Sequence, residues 1–130
     1  MPFPLNNDEL EKTENEIGAK LPDLYRNAML RDNGGSVKIQ DDDWELFPIR
    51  NQGSRKLVSI TANHILRETA SAKEWRGYPD NAIAIGSNGS GDLLVLIKED
   101  SIFNNQVYVW DHEDASLTTV ANDFSELKRA

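Results

Sequence analysis

The sequence contains no cysteine in 130 residues. That absence removes disulfides, thiolate zinc sites, iron–sulfur clusters and cysteine nucleophiles together. It also removes the cysteine-held zinc of cytidine deaminases, and it fits a reducing cytoplasm, the expected location. Histidine is nearly as scarce, with only His64 and His112. The longest apolar run, Leu93 to Ile97, is far too short to span a bilayer, so no membrane partner is expected. The opening MPFPLNNDELEK lacks the basic segment and apolar block of a secretory signal. The triplet Asn88-Gly89-Ser90 is discounted as a glycosylation acceptor for that reason. Internal repeats, low-complexity segments and linkers are also missing. The length suggests one domain, residues 1–130, able to bury roughly two thirds of its unfolded surface without a staple.

Positive charge is in short supply. Lysine and arginine number 14 against 22 aspartates and glutamates, for a net charge of −8. A field of that sign repels nucleic acid and favours a basic protein partner. It is also what disperses many soluble proteins, so alone it shifts the expectation only slightly.

What is present is periodicity. Asn7 or Asp8 can cap a helix to about Ile17, with Leu10, Thr13 and Ile17 on one face and Gly18 ending it. Leu21-Pro22 opens a second helix, with Pro22 at its first position and Asn33-Gly34-Gly35 stopping it. Ser36 to Gln40 reads as a strand, Asp41-Asp42-Asp43 as its turn, and Trp44 to Ile49 as the return strand. Arg50 to Lys56 is a polar loop, and Ser59 or Thr61 caps a third helix to about Trp75. From Asn81 to Glu113 the pattern is a three-strand meander whose middle run, Leu93 to Ile97, is apolar on both faces. Leu117 to Ala121 is a short edge strand, and Asn122 caps a last helix holding Phe124 and Leu127. Grouped helices and strands joined by short turns predict an α+β fold: a mainly antiparallel sheet, hairpin plus meander, with helices at the N-terminus, middle and C-terminus.

Four stretches in order carry a resemblance. They are Glu14-x-x-Ile17-Gly18-x-x-Leu21-Pro22-x-x-Tyr25 with Asn33-Gly34-Gly35; Ile83-Ala84-Ile85-Gly86 with Asn88-Gly89-x-Gly91-Asp92; Val107-Tyr108-x-Trp110-Asp111-His112-Glu113; and Val120-Ala121-x-x-Phe124-x-x-Leu127. Together they resemble the SMI1/KNR4 family of the SUKH superfamily across nearly the whole chain, with a divergent middle from Asp41 to Arg76. The resemblance implies an α+β domain without catalysis or cofactor. Bacterial members of such families are typically immunity proteins that neutralise nuclease or deaminase toxins. Fungal members regulate signalling and cell-wall synthesis. A stand-alone chain of this length resembles the bacterial type.

Asp41, Asp42, Asp43 and Glu45 form the densest charge cluster, and Asp111-His112-Glu113-Asp114 a second. Metal ligation is disfavoured at the first, which lacks the spacing and glycine of a calcium loop. At the second it lacks a partner histidine at ligand spacing. Gly86 to Gly91 is not a phosphate cradle, because no lysine and no helix follow it. No Gly-x-Ser-x-Gly elbow occurs. The plainer reading of the Asp41–Glu45 cluster is a solvated turn. The resemblance, taken with the −8 charge, implies non-catalytic binding of a basic toxin, placed at Asp41, Asp42, Asp43, Trp44, Glu45, Asp111, Glu113 and Asp114. The alternative is a regulatory scaffold. A third possibility is a hydrolase in which Asp92/Asp111 or His112/Glu113 meet in a pocket. Trp44, Trp75 and Trp110 read as core, with room for one at an interface.

Overall fold

The computed structural model describes residues 3–129. Helix α1 (Asn7–Ile17) is capped by Asn6, whose side chain accepts from the Asp8 N–H at 2.9 Å. The cap lies just before the two candidates that the sequence offered. Leu10 and Thr13 are buried on one face, and Gly18 closes the helix at φ 81°. Helix α2 (Asp23–Arg31) starts one residue later than expected, with Pro22 as its N-cap instead of its first position. A buried contact joins the two helices. Glu14 accepts the Leu21 N–H at 2.7 Å and the Arg26 Nε–H at 2.9 Å.

Strands β1 (Ser36–Ile39) and β2 (Asp42–Leu46) form a hairpin. Its turn is Gln40-Asp41, both at positive φ (49° and 70°), which suits the twist of a two-residue hairpin loop. Asp42 and Asp43 therefore belong to β2 and not to the turn. The single middle helix expected from the sequence is two short ones, α3 (Arg55–Ile60) and α4 (Ile65–Ala72), so α3 occupies part of the expected polar loop. Ser54 caps α3 through the Leu57 N–H, and the imidazole of His64 caps α4 through the Arg67 N–H. Thr61 closes α3: its hydroxyl donates to the Leu57 carbonyl at 2.8 Å and accepts the Asn51 N–H at 3.1 Å.

The meander follows as β3 (Ala82–Ser87), β4 (Leu93–Glu99), the two-residue β5 (Ile102–Phe103) and β6 (Val107–Trp110). β7 (Leu117–Ala121) is an edge strand, as expected. The expected last α-helix is only a 3-10 turn, Phe124–Glu126, after which β8 (Lys128–Arg129) pairs with β1. Phe124 and Leu127 are both buried, so one turn already seats the apolar pair. Pairing with β1 then satisfies backbone groups that a longer helix would have bonded internally.

The sheet order is β7-β6-β4-β3-β2-β1-β8, with β5 against the far end of β4, and every strand pairing is antiparallel. β4 explains the layering. Leu94 and Leu96 point into a core shared with α1, α2, the hairpin and Phe124. Val95 and Ile97 point to the other face, against Tyr78 and Trp110. Alternation along one strand, apolar on both sides, gives the sheet two covered faces. No helix among the described residues is long and apolar enough to cross a membrane.

Candidate functional site

The strand register assembles one end of the sheet. Glu45 of β2 lies opposite Ser87 of β3, and Ser87 opposite Leu93 of β4. Leu93 then faces Trp110 of β6, and Trp110 faces Leu117 of β7. Beyond this row stand three connections: the tip of the β1–β2 hairpin, the 88–92 turn and the 111–116 turn. The two acidic stretches singled out in the sequence thus lie at the same end, about 14 Å apart across three strand spacings.

Asp41, Asp42, Asp43, Glu45, Glu113 and Asp114 are exposed there, and Asp111 is half-buried. Cations stand at this end too, Arg76 among them, between Trp75 and Gly77, which lie against His112 and Ala115. Lys38 lies 3.9 Å from Asp43, and Lys128 lies beside Lys38 on β8. Trp44 points the other way. It is 5% exposed and belongs to the core, because strand alternation puts Asp43 and Glu45 on one face and Trp44 on the opposite one. It offers a partner no surface.

The 111–116 turn is shaped by its own carboxylates. Asp111 accepts the Glu113 N–H and Asp114 accepts the Ser116 N–H, at 2.8 and 2.9 Å. The bonds from Ser116 hold the Asp114 carboxyl below the usual carboxylate range. Asp92, from the 88–92 turn, reaches across to the His112 Nδ1 at 2.8 Å and accepts the His112 N–H at 3.3 Å. The imidazole is thereby raised above its ordinary value, chiefly by that hydrogen bond, with partial desolvation opposing it. Desolvation would push Asp92 up, but the bonds from His112 and Asn88 outweigh it and hold it low. His112 also packs on Gly91, where a Cβ would meet the ring at 3.0 Å, and edge-on against Trp75 at 5.8 Å.

Trp75 is half exposed, so the tryptophan left for an interface is this one. Its pairing with His112 was invisible in the sequence, since residues 75, 92 and 112 meet only through the sheet. The polar atoms of Asp92, Asp111 and His112 lie within 4.8 Å of one another. The Asp92/Asp111 pair of the hydrolase reading does come together. Each of these carboxylates is engaged by the turns: Asp92 ties 88–92 to 111–116, and Asp111 braces its own loop. What the end presents outward is a broad anionic surface with an indole at its margin.

Against curated proteins the chain finds no significant match. The sequence profile described as the SMI1 / KNR4 family (SUKH-1) matches residues 4–129. That span takes in every strand and helix described above, the acidic end included. The chain belongs to the SMI1/KNR4 family (SUKH-1).

Proposed function

We propose that this chain is an immunity-type binding domain that neutralises a bacterial toxin by covering a basic surface on it. The single observation that carries the proposal is the register that collects Asp41, Asp42, Asp43, Glu45, Asp111, Glu113 and Asp114 at one end of a rigid sheet. Membership of a family with immunity-protein-like binding domains supports it. A nuclease active site is built to receive phosphate charge, so an array of carboxylates on one strand and two turns at the same sheet end mimics what it expects. A deaminase that acts on nucleic acid has the same bias. Opposed fields also speed encounter. No turnover is involved, and no cofactor. The acting compartment is the cytoplasm, where a toxin would find its target.

The test is co-expression with the toxin domain encoded beside this chain's gene. Survival of the cells and a one-to-one complex on gel filtration are expected. Unprotected cells together with no complex would sink the proposal. Recovery of several signalling or wall-synthesis proteins in place of one toxin would favour the scaffold alternative.

A further inference from the structure

An open groove of about 550 Å³ lies between the base of the β1–β2 hairpin, at Ser36 and Glu45, and α3, and it meets the acidic end at Glu45. Its walls include Phe3, Pro48, Leu57 and Ile60, and Gly34 and Gly35 let the floor lie close to backbone. Glu45 is the single charged residue among those lining it. No described residue makes an ion pair with Glu45. Strand alternation puts Asp43 on the same face, two residues nearer the hairpin tip. Phe3 and Ile60 are each 43% exposed. Lys56 already rests over the Phe3 ring, 5.4 Å from its centroid, so the rim holds a cation on an aromatic face.

Apolar walls with one carboxylate at the end suit a particular guest. A long aliphatic stem buries against the walls while its cationic head meets the carboxylate. Arginine fits better than lysine, because its planar fork bonds a carboxylate through two parallel N–H groups and stacks on an aromatic ring. We propose that this groove takes an arginine-bearing loop of the partner protein, with the guanidinium on Glu45 and its stem between Phe3 and Ile60. The inference rests on the binding function proposed above and names the chemistry of the contact next to the acidic end. The groove is then the anchoring pocket, and the surrounding carboxylates steer the approach. A small-molecule occupant is the competing outcome, since the volume also falls within the range of small-ligand sites.

Two arms of one experiment test it. In the first, isotope-labelled protein is titrated with N-acetyl-leucyl-arginine amide and with its citrulline counterpart, which keeps the shape and loses the charge. Amide shifts at Gly34, Gly35, Ser36 and Leu57 to Thr61 are expected with arginine and not with citrulline, and they should vanish in Glu45→Gln. Equal shifts with both peptides, or none at these amides, would overturn the proposal. In the second arm, the complex with the toxin is measured for Glu45→Gln, Ile60→Lys and the distant Glu113→Gln. The two groove variants should weaken binding by roughly tenfold or more, mostly through faster dissociation, with melting temperature retained. Glu113→Gln should change mainly the association rate. Wild-type affinity in both groove variants would remove the groove from the interface and leave the immunity function standing. If the wild type binds no toxin, that function fails, and the peptide arm alone decides the groove.

Discussion

Asn33 binds both backbone groups of Ile49 with a single side chain. Its Oδ1 accepts the Ile49 N–H at 2.8 Å, and its Nδ2 donates to the Ile49 carbonyl, also at 2.8 Å. The amide stands in for a neighbouring strand just where β2 has ended, and Ile49 is fully buried. Asn33→Ala would leave a donor and an acceptor orphaned away from water. A loss of about 2–6 kcal/mol is expected, because each of the two buried groups left unpaired costs about 1–3 kcal/mol. Urea unfolding measures it. Asn33→Asp should not rescue, since a carboxylate accepts from the N–H but cannot donate to the carbonyl. A fully stable aspartate variant would contradict this account.

Glu14 and Arg26 form the other buried polar joint, with side chains only 10% and 16% exposed. Glu14 also holds the Leu21 N–H as the chain turns into α2. Glu14→Ala leaves a nearly buried guanidinium alone and an N–H unpaired, so it should cost about 3–5 kcal/mol. Replacing both partners, Glu14→Leu with Arg26→Met, should recover much of that loss, because no unpaired charge then remains. A double variant no more stable than Glu14→Ala would show that the pair supplies more than compensated charge.

Two glycines separate steric from conformational demand. A Cβ at Gly86 would stand 2.6 Å from the Glu45 carbonyl oxygen, in the middle of the β2–β3 pairing. Gly89 sits at φ 83° with nothing within 4 Å. Gly86→Ala must push two strands apart and should cost several kcal/mol, or about 1–3 kcal/mol if the bulge between Ala84 and Gly86 yields. Gly89→Ala should cost only about 1 kcal/mol, the strain of a left-handed residue. Thermal melts of the pair test the order, and a larger loss at Gly89 would refute it.

These residues also show what was legible in the sequence. Glu14, Asn33, Gly86 and the Asn88–Asp92 turn stand out in the sequence as pattern, and each carries a backbone joint or a close approach. The antiparallel sheet, α1, the hairpin and the two-faced β4 were readable because period and turn chemistry are local. The break between α3 and α4 was not, because Thr61 acts through Asn51, a partner ten residues away. The collapse of the last helix was hidden for a similar reason, since β8 needs β1 beside it. The acidic residues were legible as charge, but their gathering at one end depends on register across β2, β3, β4 and β6. Neither the groove nor the Trp75–His112 contact had a sequence signal.

The two histidines should respond to pH with opposite signs. His112 is raised above the ordinary imidazole value of 6.5 by its bond to Asp92. Its contribution is therefore fully present below 6.5 and is lost as pH rises through its folded value. His64 is lowered, first by burial and then by Arg50, with Glu16 opposing, and its neutral Nδ1 caps α4. Its contribution is present above 6.5 and is lost as pH falls toward its folded value. Melting temperatures at about pH 5.5 and about pH 8 should separate them. His112→Asn should cost more at the lower pH. His64→Asn, which caps in any protonation state, should be relatively more favourable there. Identical pH profiles for the two variants would rule out the assigned pairings.

The acidic hairpin tip makes a kinetic prediction. Asp41, Asp42 and Asp43 extend past the row marked by Glu45, Leu93 and Trp110, so under the proposed function they would be the first charges that a partner approaching this end meets. Among the described residues, Asp43 alone of the three forms an ion pair, with Lys38 at 3.9 Å, and that pair is exposed enough to contribute little to stability. Changing all three to asparagine should leave the melting temperature within a few degrees and the dissociation rate nearly unchanged. The association rate with a basic toxin should fall by roughly tenfold at low salt, and its dependence on ionic strength should flatten. Stopped-flow association at two salt concentrations reads both quantities. Three lost charges that left rate and salt dependence alike untouched would mean that the partner approaches from elsewhere. The face bearing α1 and α2 would then be the next surface to test.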